Sequence, residues 1–236
     1  MKMIIKKACL VSLFLLVSCT HKVRSPSSVK SLLYIGDSQS EGFLGEMIYQ
    51  HLSPSIKDLN VFGFGSSSPR HWGDEQTTNN SKWLCKRKGR HNLKRSIPIK
   101  AFACKGDKSS SAFENLNSAK PDLVVFQFLG NSMGFSEKYI HSKVTKLLEA
   151  LDDKQECLFI TSPPYFKDLV EKNKLRVETQ DYFVSAVGNR CKIIKGVSEE
   201  TLNGYAFERE NYLGDRIHLS KKGAAAFFEM IRPSLP

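Results

Sequence analysis

Apolar runs of strand length alternate along this chain with stretches in which apolar residues recur at helical spacing. Residues 31–36 (Leu32-Leu33-Tyr34-Ile35 at their centre) predict a first buried strand. Phe43, Leu44, Met47, Ile48 and Leu52 predict a helix over 40–52, ended by Ser53-Pro54. Leu59–Phe64 reads as a second strand, and Gly65-Ser66-Ser67-Ser68-Pro69 as a loop. Residues 70–108 show no regular pattern and read as an insertion. Pro121–Leu129 is apolar without alternation, the mark of a strand covered on both faces. Tyr139, Ile140, Val144, Leu147, Leu148 and Leu151 stripe a helix over 136–151. Cys157–Thr161 predicts a fourth strand, stopped by Ser162-Pro163-Pro164. An amphipathic stretch from Phe166 to about Val187 precedes a fifth strand, Cys191–Ile194. A polar loop through Gly196–Arg216 then leads to a last helix, Ser220–Ile231. Strands alternating with helices in this way predict a three-layer α/β/α domain with a central five-stranded parallel sheet and a basic insertion after the second strand.

The N-terminus does not share this pattern. A basic segment (Lys2, Lys6, Lys7) precedes an apolar one, Ala8 to Val17, too short to span a membrane, so residues 1–18 read as a secretory signal. Leu16-Val17-Ser18-Cys19 looks like a lipobox, which makes Cys19 the expected lipidation site and first mature residue. Residues 19–30, polar and rich in breakers, read as a tether to a domain over 31–236. Threonine after Cys19 points to the outer rather than the inner membrane, with the domain on the periplasmic side of a bacterial envelope. Losing the signal lowers the formal net charge from +11 to +8. An exported compartment permits disulfides among Cys85, Cys104, Cys157 and Cys191, which allow three pairings. Proximity favours Cys85–Cys104, a loop worth on the order of 3 kcal/mol. Cys157 and Cys191 can pair or stay as buried thiols. No Cys-x-x-Cys or His-rich spacing suggests a metal, and no cofactor is expected.

Three stretches carry candidate chemistry. Gly36-Asp37-Ser38 ends the first strand, placing Ser38 at the carboxyl edge of the sheet and at a helix N-terminus, where an oxyanion can be stabilised; a serine there can also act only as a helix cap. Asp215-Arg216-Ile217-His218 places a carboxylate and an imidazole three residues apart, able to share one turn as orienting group and base for a serine nucleophile. Leu129-Gly130-Asn131-Ser132, at the end of the third strand, aims an amide across the same edge. Gly65, after the second strand, can offer a backbone N–H to the same oxyanion.

Together these residues resemble the SGNH (GDSL-type) hydrolase superfamily over about residues 31–232. Gly36-Asp37-Ser38 matches its nucleophile block, and Asp215-Arg216-Ile217-His218 with Gly223 matches its last block. Two blocks depart from the pattern. Gly130-Asn131-Ser132 lacks the usual spacing and aspartate, and Gly63-Phe64-Gly65-Ser66-Ser67-Ser68 leaves the second oxyanion donor open between Gly65 and a neighbouring serine amide. The resemblance implies a flavodoxin-like fold, with Ser38 as nucleophile, His218 as base, Asp215 orienting it, and an oxyanion hole from Ser38, Asn131 and Gly65.

Residues 82–108 hold ten basic side chains, Lys82, Lys86, Arg87, Lys88, Arg90, Lys94, Arg95, Lys100, Lys105 and Lys108, against the single acid Asp107. With Arg70, Trp72, Trp83 and Arg87 as candidate binding residues, the insertion suits an acylated envelope glycan or other anionic polymer. Nucleic acid fits the charge, but no recognition motif supports it. The expectation is a monomeric, lipid-anchored serine esterase that removes O-acetyl groups from an envelope glycan. An O-acetyltransferase, a lipid esterase and a non-catalytic envelope-binding lipoprotein are the alternatives.

Overall fold

A computed structural model describes residues 29–86, 104 and 108–236. Cys19, the signal and most of the tether lie outside the described residues, as do Arg87 and the bulk of the basic insertion. In chain order the elements are β1 (Ser31–Gly36), α1 (Ser38–Glu41), α2 (Phe43–Leu52), β2 (Asp58–Gly63), α3 (Pro69–Gly73), α4 (Asn79–Lys86), α5 (Ala112–Asn117), β3 (Leu123–Gln127), α6 (Glu137–Glu149), β4 (Glu156–Ile160), α7 (Val170–Val187), β5 (Lys192–Ile194), α8 (Glu199–Asn203) and α9 (Lys221–Ile231). The five strands form one parallel sheet in the order β2-β1-β3-β4-β5. The chain runs outward from β1 to β2, then crosses back to β3 on the other side of β1. The carboxyl ends of β1 and β3 therefore flank the point where the winding reverses, the place such sheets offer to ligands.

Alternate strand residues feed two cores. Leu33, Ile35, Phe62, Val124, Phe126 and Phe159 pack with Trp72, Phe113, Val144, Leu147 and Phe183 on one face. Leu32, Tyr34, Leu59, Val61, Val125, Leu158 and Ile160 pack with Leu44, Ile48, Phe227 and Ile231 on the other. With both faces covered, the strands are largely apolar, as the pattern predicted. The Cys85–Cys104 disulfide holds the end of α4, and Cys157–Cys191 joins β4 to the residue before β5.

Three segments depart from the expectation. The segment 70–108 does not behave wholly as an insertion: α3 and α4 are helical, and Pro69, His71, Trp72, Gly73 and Leu84 are buried. Helix α3 approaches α6 so closely that a Cβ on Gly73 would lie 3.2 Å from the Cα of Leu147. Five residues around a proline carry too few turns to show a period. The polar loop 196–216 is likewise built from α8 and two single 3-10 turns, Tyr205–Phe207 and Arg209–Asn211, with Asn211 and Tyr212 buried. The predicted helix start at Phe166 is instead an irregular segment tied by Phe166 N–H to Arg216 O (3.1 Å) and Lys167 N–H to Ala206 O (2.9 Å). The helix begins only at Val170.

Candidate active site

The residues from Ser38 to Glu41 form one short helical turn at the carboxyl end of β1, and each side chain reaches a different part of the molecule. Asp37 caps the turn by accepting from Gln39 N–H (3.0 Å). Ser38 Oγ lies 3.1 Å from His218 Nε2, across 180 residues of chain. Gln39 brackets the histidine: its Nε2 donates to Ile217 O (3.1 Å) and its Oε1 accepts from Leu219 N–H (3.3 Å). Ser40 donates to the side chain of Gln127 at the end of β3. Glu41 accepts from Gly65 N–H at 2.6 Å. The turn lies so close to the strands that a Cβ on Gly36 would meet Ser40 Oγ at 2.0 Å, and one on Gly63 would meet Glu41 N at 2.2 Å.

The C-terminal motif makes its geometry locally. Asp215 Oδ1 accepts from the N–H groups of Ile217 and His218, both at 2.9 Å, while its Oδ2 lies 2.6 Å from His218 Nδ1. Burial pushes the Asp215 carboxyl up, but these hydrogen bonds outweigh it and hold the group below the usual carboxylate range. Ser220 caps α9 by accepting from Gly223 N–H (3.1 Å), and Ser220 N–H donates to Asn211 O (2.9 Å). Sequence spacing thus placed Ser38, Asp215 and His218, and the fold brings all three together.

Of the expected oxyanion residues, Asn131 lines the same cavity as Ser38 and donates from Nδ2 to Ser67 O at 2.9 Å, which leaves its second N–H for another acceptor. Gly65 lines the cavity too, but its N–H is taken by Glu41, which corrects its expected part as oxyanion donor. The next residue, Ser66, has φ +65°, the left-handed conformation that favours glycine, and lines the cavity. Among the described residues, neither Ser38 N–H nor Ser66 N–H has a protein acceptor. The serine amide is therefore the free one of the two alternatives.

The binding residues expected from the insertion are placed elsewhere. Trp72 is fully buried and donates from Nε1 to Ser67 Oγ (3.1 Å), which donates to Gly36 O (3.0 Å), so it buttresses the β2 loop from beneath. Trp83 packs edge-on to Phe64 and against His71. Arg70 lies over the Phe135 ring, 4.8 Å from its centroid. Indole and guanidinium planes gain more from packing on a core than from solvent, and composition does not record which choice is made. Arg87 falls outside the described residues.

Sequence reasoning missed several residues. Gln127 was visible as a polar residue inside an apolar strand; it accepts from Tyr34 Oη (2.9 Å) and donates to Ser162 Oγ (3.2 Å). Arg176 and Tyr165 line the cavity with no comparable signal. The cavity measures about 580 Å³ and lies on one side of the Ser38–His218 pair. A smaller cleft of about 290 Å³, lined by Phe43, Leu213 and Leu219, lies on the other side of the pair. Asp37 is buried at the wall of the larger cavity, and burial pushes its carboxyl up to about 6, against the lowering effect of Gln39 N–H and the Arg176 charge.

No protein-family profile matches the chain, and no curated protein matches it by sequence. Solved structures do match in fold. A lipase/acylhydrolase from Enterococcus faecalis is 14% identical, with a TM-score of 0.53 over 87% of this chain and 97% of that one. A member of the lipolytic G-D-S-L family from Veillonella parvula is 12% identical, with a TM-score of 0.53 over 86% and 96%. A carbohydrate esterase of family 3 from Talaromyces cellulolyticus is 12% identical, with a TM-score of 0.52 over 86% and 95%. The sheet order, the position of Ser38 at its reversal point and these likenesses agree: the chain has the SGNH (GDSL-type) hydrolase fold.

Proposed function

We propose that the protein is a serine esterase of the bacterial envelope that removes O-acetyl groups from a cell-wall or other envelope glycan. The observation that carries this reading is the relay Ser38 Oγ–His218 Nε2 (3.1 Å) and His218 Nδ1–Asp215 Oδ2 (2.6 Å), open to a cavity beside free backbone N–H groups. Under this reading His218 takes the Ser38 proton as Oγ attacks the acyl carbonyl. Asp215 holds the ring so that Nε2 is the accepting nitrogen. The oxyanion is met by Ser38 N–H, Ser66 N–H and Asn131 Nδ2, and His218 then protonates the leaving alcohol. Water, deprotonated by the same imidazole, releases the acid from the acyl-enzyme.

Cavities on both sides of the serine suit an ester with two distinct halves. A carbohydrate esterase sharing the fold is in keeping with a glycan ester. The lipobox at Cys19 supports attachment to the envelope, and the basic residues of 82–108 support an anionic polymer as the surface on which the enzyme works. The test is acetate release from O-acetylated peptidoglycan by the wild-type protein and by Ser38→Ala. The expected loss is about 10³-fold or more, the scale of removing a triad member. A folded wild-type protein that releases no acetate from this or any simple acetate ester would overturn the reading.

A further inference from the structure

One wall of the cavity is not used by this chemistry. Arg176, from the middle of α7, is 1% exposed and yet lines the cavity that holds Ser38. A guanidinium taken out of water needs partners for its five N–H groups. Nη2 donates to Pro163 O at 2.5 Å, and the plane lies 4.1 Å over the centroid of the Tyr165 ring. Nε has no partner, and the carboxylate charge that acts on the group is that of the buried Asp37, which makes no direct ion pair with it. Its neighbours on the same buried face are fully employed: Asn173 bonds Tyr165 N–H and O, and Gln180 bonds Thr161 Oγ1 and both backbone groups of Val197. Arg176 is the exception on that face.

The opening toward Arg176 is made by a missing side chain. A Cβ on Gly130 would lie 2.9 Å from Tyr165 Oη and 3.2 Å from Arg176 Nη1, so these two polar atoms converge beside a glycine that also lines the cavity. Of the cavity's carboxylates, Asp37 is buried, caps the Ser38 turn and acts on the Arg176 charge, Asp215 binds His218, and Glu41 binds Gly65 N–H. The unpartnered Nε and the converging Tyr165 Oη and Arg176 Nη1 favour an anionic group there, and Glu41 disfavours one beside Gly65.

We propose that Arg176 and Tyr165 form a subsite for a carboxylate carried by the substrate, so that the preferred ester bears an acidic group near its scissile bond. This inference rests on the esterase reading and narrows it to two kinds of ester. Either the alcohol half is acidic, as in an O-acylated uronic acid, or the acyl half is the half-ester of a dicarboxylic acid. Both present the same carboxylate to Arg176.

The test pairs each charged ester with its neutral counterpart. Mono-4-nitrophenyl glutarate against 4-nitrophenyl pentanoate places the charge in the acyl half, and 2-acetoxybenzoate against its methyl ester places it in the alcohol half. In one pair the wild-type kcat/KM should favour the charged ester, and Arg176→Gln should lower that charged-to-neutral ratio by roughly 10- to 100-fold, with Arg176→Lys between them. Calorimetry of glutarate binding to Ser38→Ala, with and without Arg176→Gln, reads the subsite without turnover. Binding lost with Arg176→Gln supports the proposal even where no ester is hydrolysed, an outcome that overturns the esterase reading alone. Unchanged ratios in both pairs, or equal glutarate binding by both proteins, overturn the subsite. Should Arg176→Gln fail to fold, Tyr165→Phe keeps the ring and removes the hydroxyl. It should weaken glutarate binding several-fold, and no change would overturn the proposal.

Discussion

Helices α7 and α9 lie on opposite faces of the sheet and bury opposite kinds of residue. Helix α9 follows the ordinary rule: Ala224, Phe227, Phe228 and Ile231 face the core, and Lys221, Lys222 and Glu229 face water. Helix α7 inverts it along most of its length. Asn173, Arg176, Thr179 and Gln180 are buried, while Val170, Leu175 and Val177 are exposed, and only Phe183 and Val187 pack as core. The inverted face lies under the loops that follow β4 and β5, where the backbone has left the sheet and its N–H and C=O groups need partners. Side-chain amides supply them: Asn173 holds both backbone groups of Tyr165, and Gln180 holds both of Val197. One helix contributes apolar area, and the other contributes the hydrogen bonds that shape the carboxyl edge.

The largest effect on stability should come from α9. Phe227→Ala should cost about 3–5 kcal/mol in denaturant unfolding, as large-to-small changes in a packed core do, while the folded fraction keeps its turnover. Gln180→Leu in α7 sharpens the contrast. It preserves bulk but strands Val197 N–H and O and removes the Thr161 hydroxyl's closest acceptor, and should cost about 2–3 kcal/mol. Here kcat per folded molecule should fall as well, because the stranded groups belong to the loops at the site. Equal kcat losses in the two variants would erase the distinction between the helices.

A third effect is read through pH. Asp37 is raised by burial to about 6 from 3.8, with Gln39 N–H and the Arg176 charge opposing the rise. The native state therefore takes up this proton before the unfolded chain does. The resulting destabilisation is fully present above about pH 6 and is relieved as pH falls toward 4, by on the order of 3 kcal/mol at most. His71, lowered by burial to about 4, contributes the opposite slope over the same range. Asp37→Asn keeps a cap and removes the carboxyl, so its unfolding free energy relative to wild type should favour the variant increasingly from pH 4 to pH 6. A difference flat in pH would contradict the burial of an ionisable Asp37. The smallest effect belongs to the outer face of α7: Val170→Ser and Leu175→Ser should each change stability by no more than about 0.5 kcal/mol. A larger loss would mean that something covers that face.

What the sequence by itself determined is what local rules and period encode. The five strands read as apolar runs and paired as one parallel sheet, because strands covered on both faces are largely apolar. Asp215 and His218 read as a unit because their bonds close within one turn, and Ser38 read as an edge serine because Gly36 ends a buried strand. Only the tertiary structure decided the rest. It gave the Gly65 amide to Glu41 and left the Ser66 amide without a protein acceptor, and it sent Trp72 and Trp83 into packing instead of the cleft. It also turned the polar stripe of α7 inward, setting Arg176 against the cavity. A polar side chain carries the same letter whether its partner is water or a loop carbonyl brought from elsewhere in the chain, and the partner appears only once the chain has folded.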